Sequence, residues 1–191
     1  MDKKRGRPRS VETEQAILKS AYELLLELGF ADVTVDKIAE RANVSKATIY
    51  KWWPCKSAVV TDSYLFATAE KLQVPDTGSA VTDIILQASR LSAFLDSREG
   101  RVINELIAEG QFDKKLADNY RQRYFIPRRK VSYQILERGV KRGELRSDLD
   151  IELCLDLIYG PIFYRLLITG EPIDDAFVGG IVNYVLNGIK A

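Results

Sequence analysis

The side chains best suited to chemistry lie together in one segment, Thr34 to Lys56, which reads TVDKIAERANVSKATIYKWWPCK. Most of them are hydroxyl, phenol and ammonium groups, which donate hydrogen bonds to phosphate oxygens and base edges. One small apolar side chain among them, that of Ala47, is of a size to contact a thymine methyl group. The candidate DNA-contacting residues of this segment are Thr34, Ser45, Lys46, Ala47, Thr48, Tyr50, Lys51 and Lys56.

Residues for covalent or metal chemistry are scarce. Histidine is absent, and the sequence has no glycine-rich phosphate loop and no carboxylates clustered at metal-ligand spacing. Cys55 and Cys154 lie about a hundred residues apart, which fits two free thiols and leaves a redox switch as the alternative. We therefore expect no catalytic residue, no metal and no cofactor, and an enzyme is the least supported function.

The segment that carries these donors has the pattern of two short helices joined by a tight turn. Thr34 and Ser45 are N-cap residues in front of the two helices, Asn43-Val44 supplies the turn, and Pro54 ends the second helix. This is the helix-turn-helix layout, in which the second helix reads DNA. The alternative that the pattern alone leaves open is a helical hairpin with a solvated polar face.

Helical periodicity extends over nearly the whole chain, and no segment alternates as a strand would. The first helix begins after Ser10 and ends at Gly29, and a fourth begins at Lys56 and runs to about Leu72. Later helices are expected at about 79–96, 100–109, 114–142, 151–169 and 173–189. Pro127 and the pair Gly160-Pro161 should kink or split the helices that contain them.

The predicted fold is therefore all-α, divided at the turn-rich stretch from Val74 to Ser79. We expect a basic arm at 1–10, a three-helix DNA-binding domain at 11–56, a connecting helix at 57–74 and a larger helical domain at 79–191. No run approaches the roughly 18 apolar residues that span a bilayer, and the N-terminus lacks the apolar core of a secretory signal. The sequence thus predicts a cytoplasmic chain without a membrane partner.

Basic residues are concentrated at the N-terminus, although the formal net charge of the chain is only +1. The stretch Arg5-Gly6-Arg7-Pro8 is similar to the core of an AT-hook, which lays arginines along a narrow A·T-rich minor groove. Arg5 and Arg7 are therefore further candidate DNA contacts. The alternative is a disordered basic tail that only raises non-specific affinity.

The segment from about Gln15 to Tyr64 resembles the DNA-binding domain of the TetR (tetracycline repressor) family of regulators. The family's elements occur here in order and at the family's spacing: Leu28-Gly29-Phe30, Thr34, Ile38-Ala39, Val44-Ser45, Thr48-Ile49-Tyr50, Trp53 and Lys56. The sequence departs from the family pattern at Ala47, where glycine is usual, and at Trp52-Trp53-Pro54-Cys55, where a Tyr-His-Phe type of segment is more common. These departures put the direction of the Lys51 side chain in doubt.

The resemblance implies roles for the candidate residues. Thr34, Thr48, Tyr50 and Lys56 would contact phosphates, and Lys46, Ala47 and Lys51 would face bases. It also implies a homodimer that binds palindromic operator DNA, with a C-terminal domain for ligand binding and dimerisation. A small-molecule effector bound in that domain would release the operator.

The C-terminal half offers apolar and aromatic residues for both of those roles. The predicted ligand-pocket residues are Phe94, Ile107, Tyr120, Tyr124 and Tyr159, and the predicted dimer-interface residues are Leu157, Phe163, Tyr164, Phe177, Ile181 and Tyr184. Each remains open to a plainer interpretation as ordinary core or surface. The basic cluster around Pro127 fits a solvated helix face, with an anionic-ligand gate or second basic patch as the alternative.

Two functions from different classes thus remain for comparison. The first is a ligand-responsive repressor, which needs sequence-specific binding by the helix-turn-helix. The second is an architectural protein that coats A·T-rich DNA through its basic arm. The effector, the operator sequence and the regulated genes do not follow from the sequence.

Overall fold

The computed structural model describes residues 10–68 and 74–189 and confirms the all-α fold, because every regular element in these ranges is helical. Two of the elements are π-helical segments that continue an α-helix. In chain order the elements are α1 Val11–Asp32, α2 Val35–Arg41, α3 Lys46–Tyr50, α4 Lys56–Thr68, α5 Ala80–Leu95, α6 Arg98–Gly110, α7 Lys114–Tyr120, the first π segment Arg121–Phe125, α8 Ile126–Lys141, α9 Ile151–Tyr164, the second π segment Arg165–Thr169 and α10 Asp175–Ile189.

The predicted N-caps all form at the first three helices. The side chains of Ser10, Thr34 and Ser45 each accept a hydrogen bond from the backbone N–H three residues later. Gly29 interrupts the helical backbone of α1 at φ 76°, a conformation in which a Cβ atom is strained. Asn43, also at positive φ, turns the chain between α2 and α3. Local sequence therefore fixes where each of these helices begins and ends.

Helix α4 connects the first three helices to the rest of the chain. It packs against α1 on one side and against α7 and the first π segment on the other. Tyr64, at its centre, is fully buried, and its ring centroid lies 5.2 Å from that of Tyr124 and 6.4 Å from that of Phe94. One hydrophobic core thus passes through α4, and the division of the chain at 11–56, 57–74 and 79–191 stays a prediction.

Pro127 lies where the winding of its helix changes, and the helix is not broken there. Residues Arg121–Phe125 form a π segment, in which the N–H of Ile126 donates to the carbonyl oxygen of Arg121. The helix then continues as α8 with Pro127 in its first turn. A proline lacks the N–H that an α-helical interior requires, so a wider turn just before it accommodates the missing bond.

Gly160-Pro161 was expected to kink or split its helix, and the structure shows no split. Helix α9 runs without interruption through Pro161, and the second π segment follows only after Tyr164. Ile158 and Ile162, on either side of the proline, are both fully buried, so packing holds the helix against the core. Gly170, in the left-handed conformation at φ 69°, ends the second π segment.

A buried carboxylate fixes the start of α5 against α8. The Asp83 side chain is completely buried and accepts hydrogen bonds from the N–H and hydroxyl of Thr77, both at 2.8 Å. The Arg138 guanidinium lies 3.3 Å away. Burial by itself would raise the pKa of Asp83, but the bonds from Thr77 and Arg138 outweigh it and hold that pKa below its usual value.

This carboxylate predicts a pH dependence of stability. Because the pKa of Asp83 is lower in the folded than in the unfolded chain, its contribution is present above the unfolded pKa of about 3.9 and is lost as the pH falls through the folded pKa. We expect Asp83→Asn to lower the free energy of unfolding at neutral pH by about 1–3 kcal/mol. The variant should also lose less additional stability below about pH 4 than the parent does.

Urea unfolding at a series of pH values measures both effects. The matched control is Asp76→Asn. Asp76 is 65% exposed, and its Oδ1 lies 3.8 Å from Nε of the same arginine, Arg138. A surface pair of this kind contributes little. Equal losses in the two variants would contradict the role assigned to Asp83.

Candidate nucleic-acid interface and regulatory cavity

Helix α3 presents one face to the core and the other to solvent. Ile49 is fully buried beneath it, whereas Lys46, Ala47, Tyr50 and Lys51 are exposed. Thr48, the remaining predicted contact on this helix, is half-buried. The predicted base-facing residues therefore share one accessible surface.

Hydroxyl groups on this surface cap the helix ends, and all but the one that donates within the Ser45–Thr48 pair keep a proton to donate. Thr34 Oγ1 accepts a hydrogen bond from the N–H of Lys37 at 3.2 Å, and Ser45 Oγ accepts one from the N–H of Thr48 at 3.1 Å. The Ser45 and Thr48 hydroxyl oxygens are themselves 2.9 Å apart. A hydroxyl that accepts from the backbone still has its own O–H, which can be donated to a phosphate.

Lys46 is held by an ion pair across the helix-turn-helix. Its Nζ lies 2.7 Å from Oδ1 of Asp36 on α2, and both side chains are mostly exposed. The hydrogen bond to Asp36 raises the pKa of Lys46 above its usual value, so the side chain stays charged. An exposed pair stabilises a fold only weakly, and its exchange for a DNA acceptor costs little.

Lys56 lies at the start of α4 but its ammonium group is already engaged. Nζ donates to the carbonyl oxygens of Phe30 at 2.8 Å and Ala31 at 3.3 Å, and it lies 4.1 Å from the centroid of the Phe30 ring. Partial burial lowers its pKa below the usual value. The structure thus gives Lys56 a second role that the sequence did not indicate, because it ties α4 to the end of α1.

The tryptophans that depart from the family pattern pack into the fold. Trp53 is buried and its Nε1 donates to Oδ2 of Asp62 at 2.7 Å, while Trp52 packs edge-on against it at 5.5 Å between ring centroids. Lys51, just before them, remains exposed. Arg5 and Arg7 of the basic arm lie outside the described residues.

A cavity lies between α5, the π segment after α7, α8 and α9. Its volume is about 100 Å³, and three predicted pocket residues, Tyr120, Tyr124 and Tyr159, form part of its wall. Phe163, predicted for the dimer interface, also lies on this wall. The structure thus brings together residues from several distant segments of the chain.

The two other predicted pocket residues lie elsewhere. Phe94 is buried in the core beside Tyr64, and Ile107 lines a neighbouring pocket of about 270 Å³ that shares Tyr120, Phe125 and Phe163 with the cavity. The wall residues that were not predicted from the sequence include Gln87, Leu91, Val131 and Ser132 on α5 and α8. The first two are spaced i,i+4 and the last two follow the same face of α8 as Arg128, a helical spacing that could have suggested them.

The solvated helix face expected around Pro127 holds only in part, because Arg121 and Lys130 are exposed whereas the other three basic residues bind partners on neighbouring helices. Arg123 pairs with Asp62 on α4, Arg128 donates to the Thr68 carbonyl oxygen at 2.7 Å, and Arg129 pairs with two acids on α9. These long side chains therefore hold α4 and α9 against the π segment and α8.

One chain of contacts connects the cavity to the helix-turn-helix. Tyr124 and Phe125 of the first π segment line the cavity, and Arg123 of the same segment binds Asp62. The other bond to the Asp62 carboxylate comes from the Trp53 indole, which directly follows the α3 hairpin. Two side-chain contacts, Arg123 with Asp62 and Asp62 with Trp53, therefore connect the cavity wall to the segment that follows α3.

Helices α9 and α10 expose an apolar face. Predicted interface residues Leu157, Tyr164 and Tyr184 are 50%, 58% and 83% exposed, and Phe163, Phe177 and Ile181 are half-buried. Further exposed apolar residues on α9 and the second π segment are Leu153, Leu167 and Ile168. A methyl group added at Gly160 or Gly180 would meet nothing within 4 Å. A face of this composition is typical of a surface that a partner covers.

Within residues 10–68 and 74–189, the helical fold with an exposed, capped helix α3 defines the class of helix-turn-helix transcriptional regulators. Residues 17–62 match the family described as bacterial regulatory proteins, tetR family, and residues 74–185 match the tetracyclin repressor-like C-terminal domain. The chain belongs to the TetR family of transcriptional regulators.

Relatives of similar length support this assignment. The chain is 59% identical over 191 residues to the helix-turn-helix-type transcriptional regulator YdeS of Bacillus subtilis, covering 100% of this chain and 96% of that one. It is 31% identical to the DNA-binding transcriptional repressor TetR of Mycobacteroides abscessus, covering 95% and 94%. The crystal structure of the TetR family transcription regulator SCO0332 superposes with a TM-score of 0.84 at 37% identity, covering 94% of this chain and 100% of that one.

The helices also bear on whether the chain could cross a membrane. Within residues 10–68 and 74–189, none of them is both long enough and apolar enough to span a bilayer.

Proposed function

We propose that this regulator is a homodimeric repressor that binds a palindromic operator and is released by a small molecule in the cavity. The observation that carries the proposal is the reading helix α3, whose donors face solvent while Ile49 anchors it to the core. Lys46 and Lys51 supply positive charge to this surface, and Thr48 and Tyr50 supply hydroxyl groups. Such a helix fits the major groove of B-DNA.

A second copy of the chain is the partner we assign to the exposed face of α9 and α10. Leu153, Leu157, Gly160, Tyr164 and Leu167 follow one another at steps of three or four residues, which places them along one side of the helix. Two such faces, related by a two-fold axis, would form a four-helix interface. The small residues Gly160 and Gly180 would allow the helices to approach closely.

Effector control follows from two conformations with different operator affinity. A ligand that fills the cavity presses on Tyr124 and Phe125, and Arg123 of the same π segment holds Asp62 and, through it, Trp53. A ligand that binds better to a conformer in which this linkage is altered shifts the population away from the operator-binding state. Its effect on operator affinity cannot exceed the ratio of its affinities for the two conformers.

Sequencing the genomic fragments that the purified protein retains at physiological salt tests the DNA-binding part of the proposal. We expect a shared palindrome, with half-sites about one helical turn apart, because a two-fold dimer presents two copies of α3. Enrichment of A·T-rich fragments without a common palindrome would contradict the repressor and favour the architectural function.

Deletion of residues 1–9 separates these functions on a single operator. The repressor should keep its preference for the operator over random DNA while its affinity falls by about tenfold, since the arm carries five basic residues. The slope of log affinity against log salt should fall by at most about five units, at roughly 0.9 for each phosphate that the arm no longer neutralises. Fluorescence anisotropy over a salt series measures both quantities.

A pair of double variants shows whether the arm enters the minor groove. Arg5→Ala with Arg7→Ala and Lys3→Ala with Lys4→Ala remove the same charge from neighbouring positions. If the arm enters the minor groove, the arginine double variant should lose more operator affinity than the lysine double variant on operators with A·T-rich flanks. Equal reductions in affinity would indicate a basic tail with no preferred position.

A further inference from the structure

The cavity wall is made almost entirely of carbon. Leu91, Ile103, Val131 and the rings of several aromatic residues form most of it, and none of the described wall residues is acidic. Its volume of about 100 Å³ is several times the roughly 10–15 Å³ that one water molecule needs by the same measure. The space therefore suits a small organic compound with one ring.

Three arginines lie on this wall, and two of them direct their charge to other partners. Arg128 donates to the Thr68 carbonyl oxygen at the end of α4, at 2.7 Å. Arg129 lies 2.6 Å from the Glu152 carboxylate and 2.7 Å from that of Asp156. The third, Arg90, is exposed to solvent. Long basic side chains commonly line an apolar surface with their hydrocarbon stems while their charged ends bind elsewhere.

One polar spot interrupts the carbon wall. Tyr159 Oη donates to Gln87 Oε1 at 2.9 Å and lies 3.2 Å from Ser132 Oγ. Burial raises the pKa of Tyr159 to about 12, so its hydroxyl is protonated at neutral pH. On another part of the wall, Tyr120 and Tyr124 stack with 5.5 Å between ring centroids and 26° between planes.

We propose that the cavity takes an uncharged aromatic compound with one hydrogen-bonding group, which would bind at the Tyr159, Gln87 and Ser132 cluster. This inference rests on the proposed function of the cavity as the effector site. An anionic ligand would have to take Arg90, Arg128 or Arg129 from the partner that each already has, and a cationic one would find no carboxylate on the described wall. A ligand of either charge would lose its water of hydration and gain no new charged partner, which is costly in an apolar space.

Four compounds of matched shape test the proposal on the full-length protein without DNA. They are 4-ethylphenol, 4-ethyltoluene, 4-ethylbenzoate and 4-ethylbenzylammonium, and isothermal titration calorimetry gives each dissociation constant. We expect 4-ethylphenol to bind at least about tenfold more tightly than either charged compound. It should also bind up to about tenfold more tightly than 4-ethyltoluene, because of one net hydrogen bond. Equal or tighter binding of a charged compound, or no binding of any, would overturn the proposal.

Variants of two tyrosines locate the binding site. Tyr159→Phe keeps the ring and removes the hydroxyl, so the preference for 4-ethylphenol over 4-ethyltoluene should disappear. Tyr133→Phe is the matched control, since Tyr133 lies on α8 and does not line the cavity. An unchanged preference in Tyr159→Phe would overturn the assigned polar contact.

Operator binding, measured separately by anisotropy, distinguishes this inference from the proposed function. If 4-ethylphenol binds selectively and operator affinity does not change, the ligand class stands and release of the operator by the cavity ligand fails. If the protein binds a palindrome but none of the four compounds, the repressor stands and the ligand class fails.

Discussion

Replacing Ala47 by glutamate is expected to lower operator affinity by at least about a hundredfold, without unfolding the protein. Ala47 is exposed on α3, so a longer side chain meets no core atom. In the proposed complex, the new carboxylate would face the phosphates of the major groove. A loss of about 1.4 kcal/mol of binding free energy lowers the affinity tenfold, and a dimer carries the substitution in both subunits.

The change should leave the fold intact for a physical reason. Ala47 lies in the first turn of α3, close behind its N-cap Ser45, and acidic side chains are favourable there because of the helix dipole. Circular dichroism and urea unfolding should therefore match the parent. Anisotropy with operator and random DNA measures the loss of binding.

Two further variants separate charge from size and from position. Ala47→Gln has nearly the same volume as Ala47→Glu without the charge and should lose far less affinity. Ala108→Glu adds the same charge at an exposed position on α6 and should behave like the parent. A protein with Ala47→Glu that still binds the operator at parental affinity would show that α3 is not the reading helix.

Replacing Leu157 by glutamate is expected to convert the proposed dimer into a monomer. Leu157 lies in the middle of the exposed face of α9, at 50% exposure in the single chain. A two-fold interface would bury the new carboxylate twice, and an unpaired buried charge costs about 3–5 kcal/mol. The dissociation constant of the dimer should therefore rise by at least about a thousandfold.

Operator binding should fall with the dimer, because one subunit reaches only one half-site. Sedimentation velocity over a range of protein concentrations measures the association, and anisotropy measures the binding. Phe112→Glu is the matched control, since Phe112 is 95% exposed in the turn between α6 and α7. If Leu157→Glu stays dimeric at concentrations where Phe112→Glu does, the partner lies on another face.

The helix-turn-helix could be predicted from short sequence patterns. Its information is local: Thr34 and Ser45 cap helices that begin at the next residue, Asn43 turns the chain, and Ile49 is the apolar anchor of a five-residue helix. Hydrogen bonds between residues three apart and a side chain that must be buried can both be inferred from consecutive letters. The exposure of Lys46, Ala47, Tyr50 and Lys51 followed from the same short pattern.

The role of each later helix depends on which other helices pack against it in the folded protein. Periodicity indicates that one side of a helix is covered, but not which other helix covers it. Tyr120, Tyr124 and Tyr159 therefore could not be distinguished from Phe94, which the core encloses, until α5, α8 and α9 were placed around one cavity. The same packing places Phe163 on the cavity wall, although its neighbour Tyr164 is exposed.

The ion pairs and the course of α9 depended on packing in the same way. Arg123 and Arg129 bind acids 61 and 23 residues away in the chain, so no local pattern could separate them from a solvated face. Pro161 lies inside an unbroken helix because Ile158 and Ile162 are held in the core, although the residue type by itself disfavours it. Short-range hydrogen bonding thus fixed helix α3, and contacts between distant segments fixed the cavity, the ion pairs that surround it and the exposed apolar face of α9 and α10.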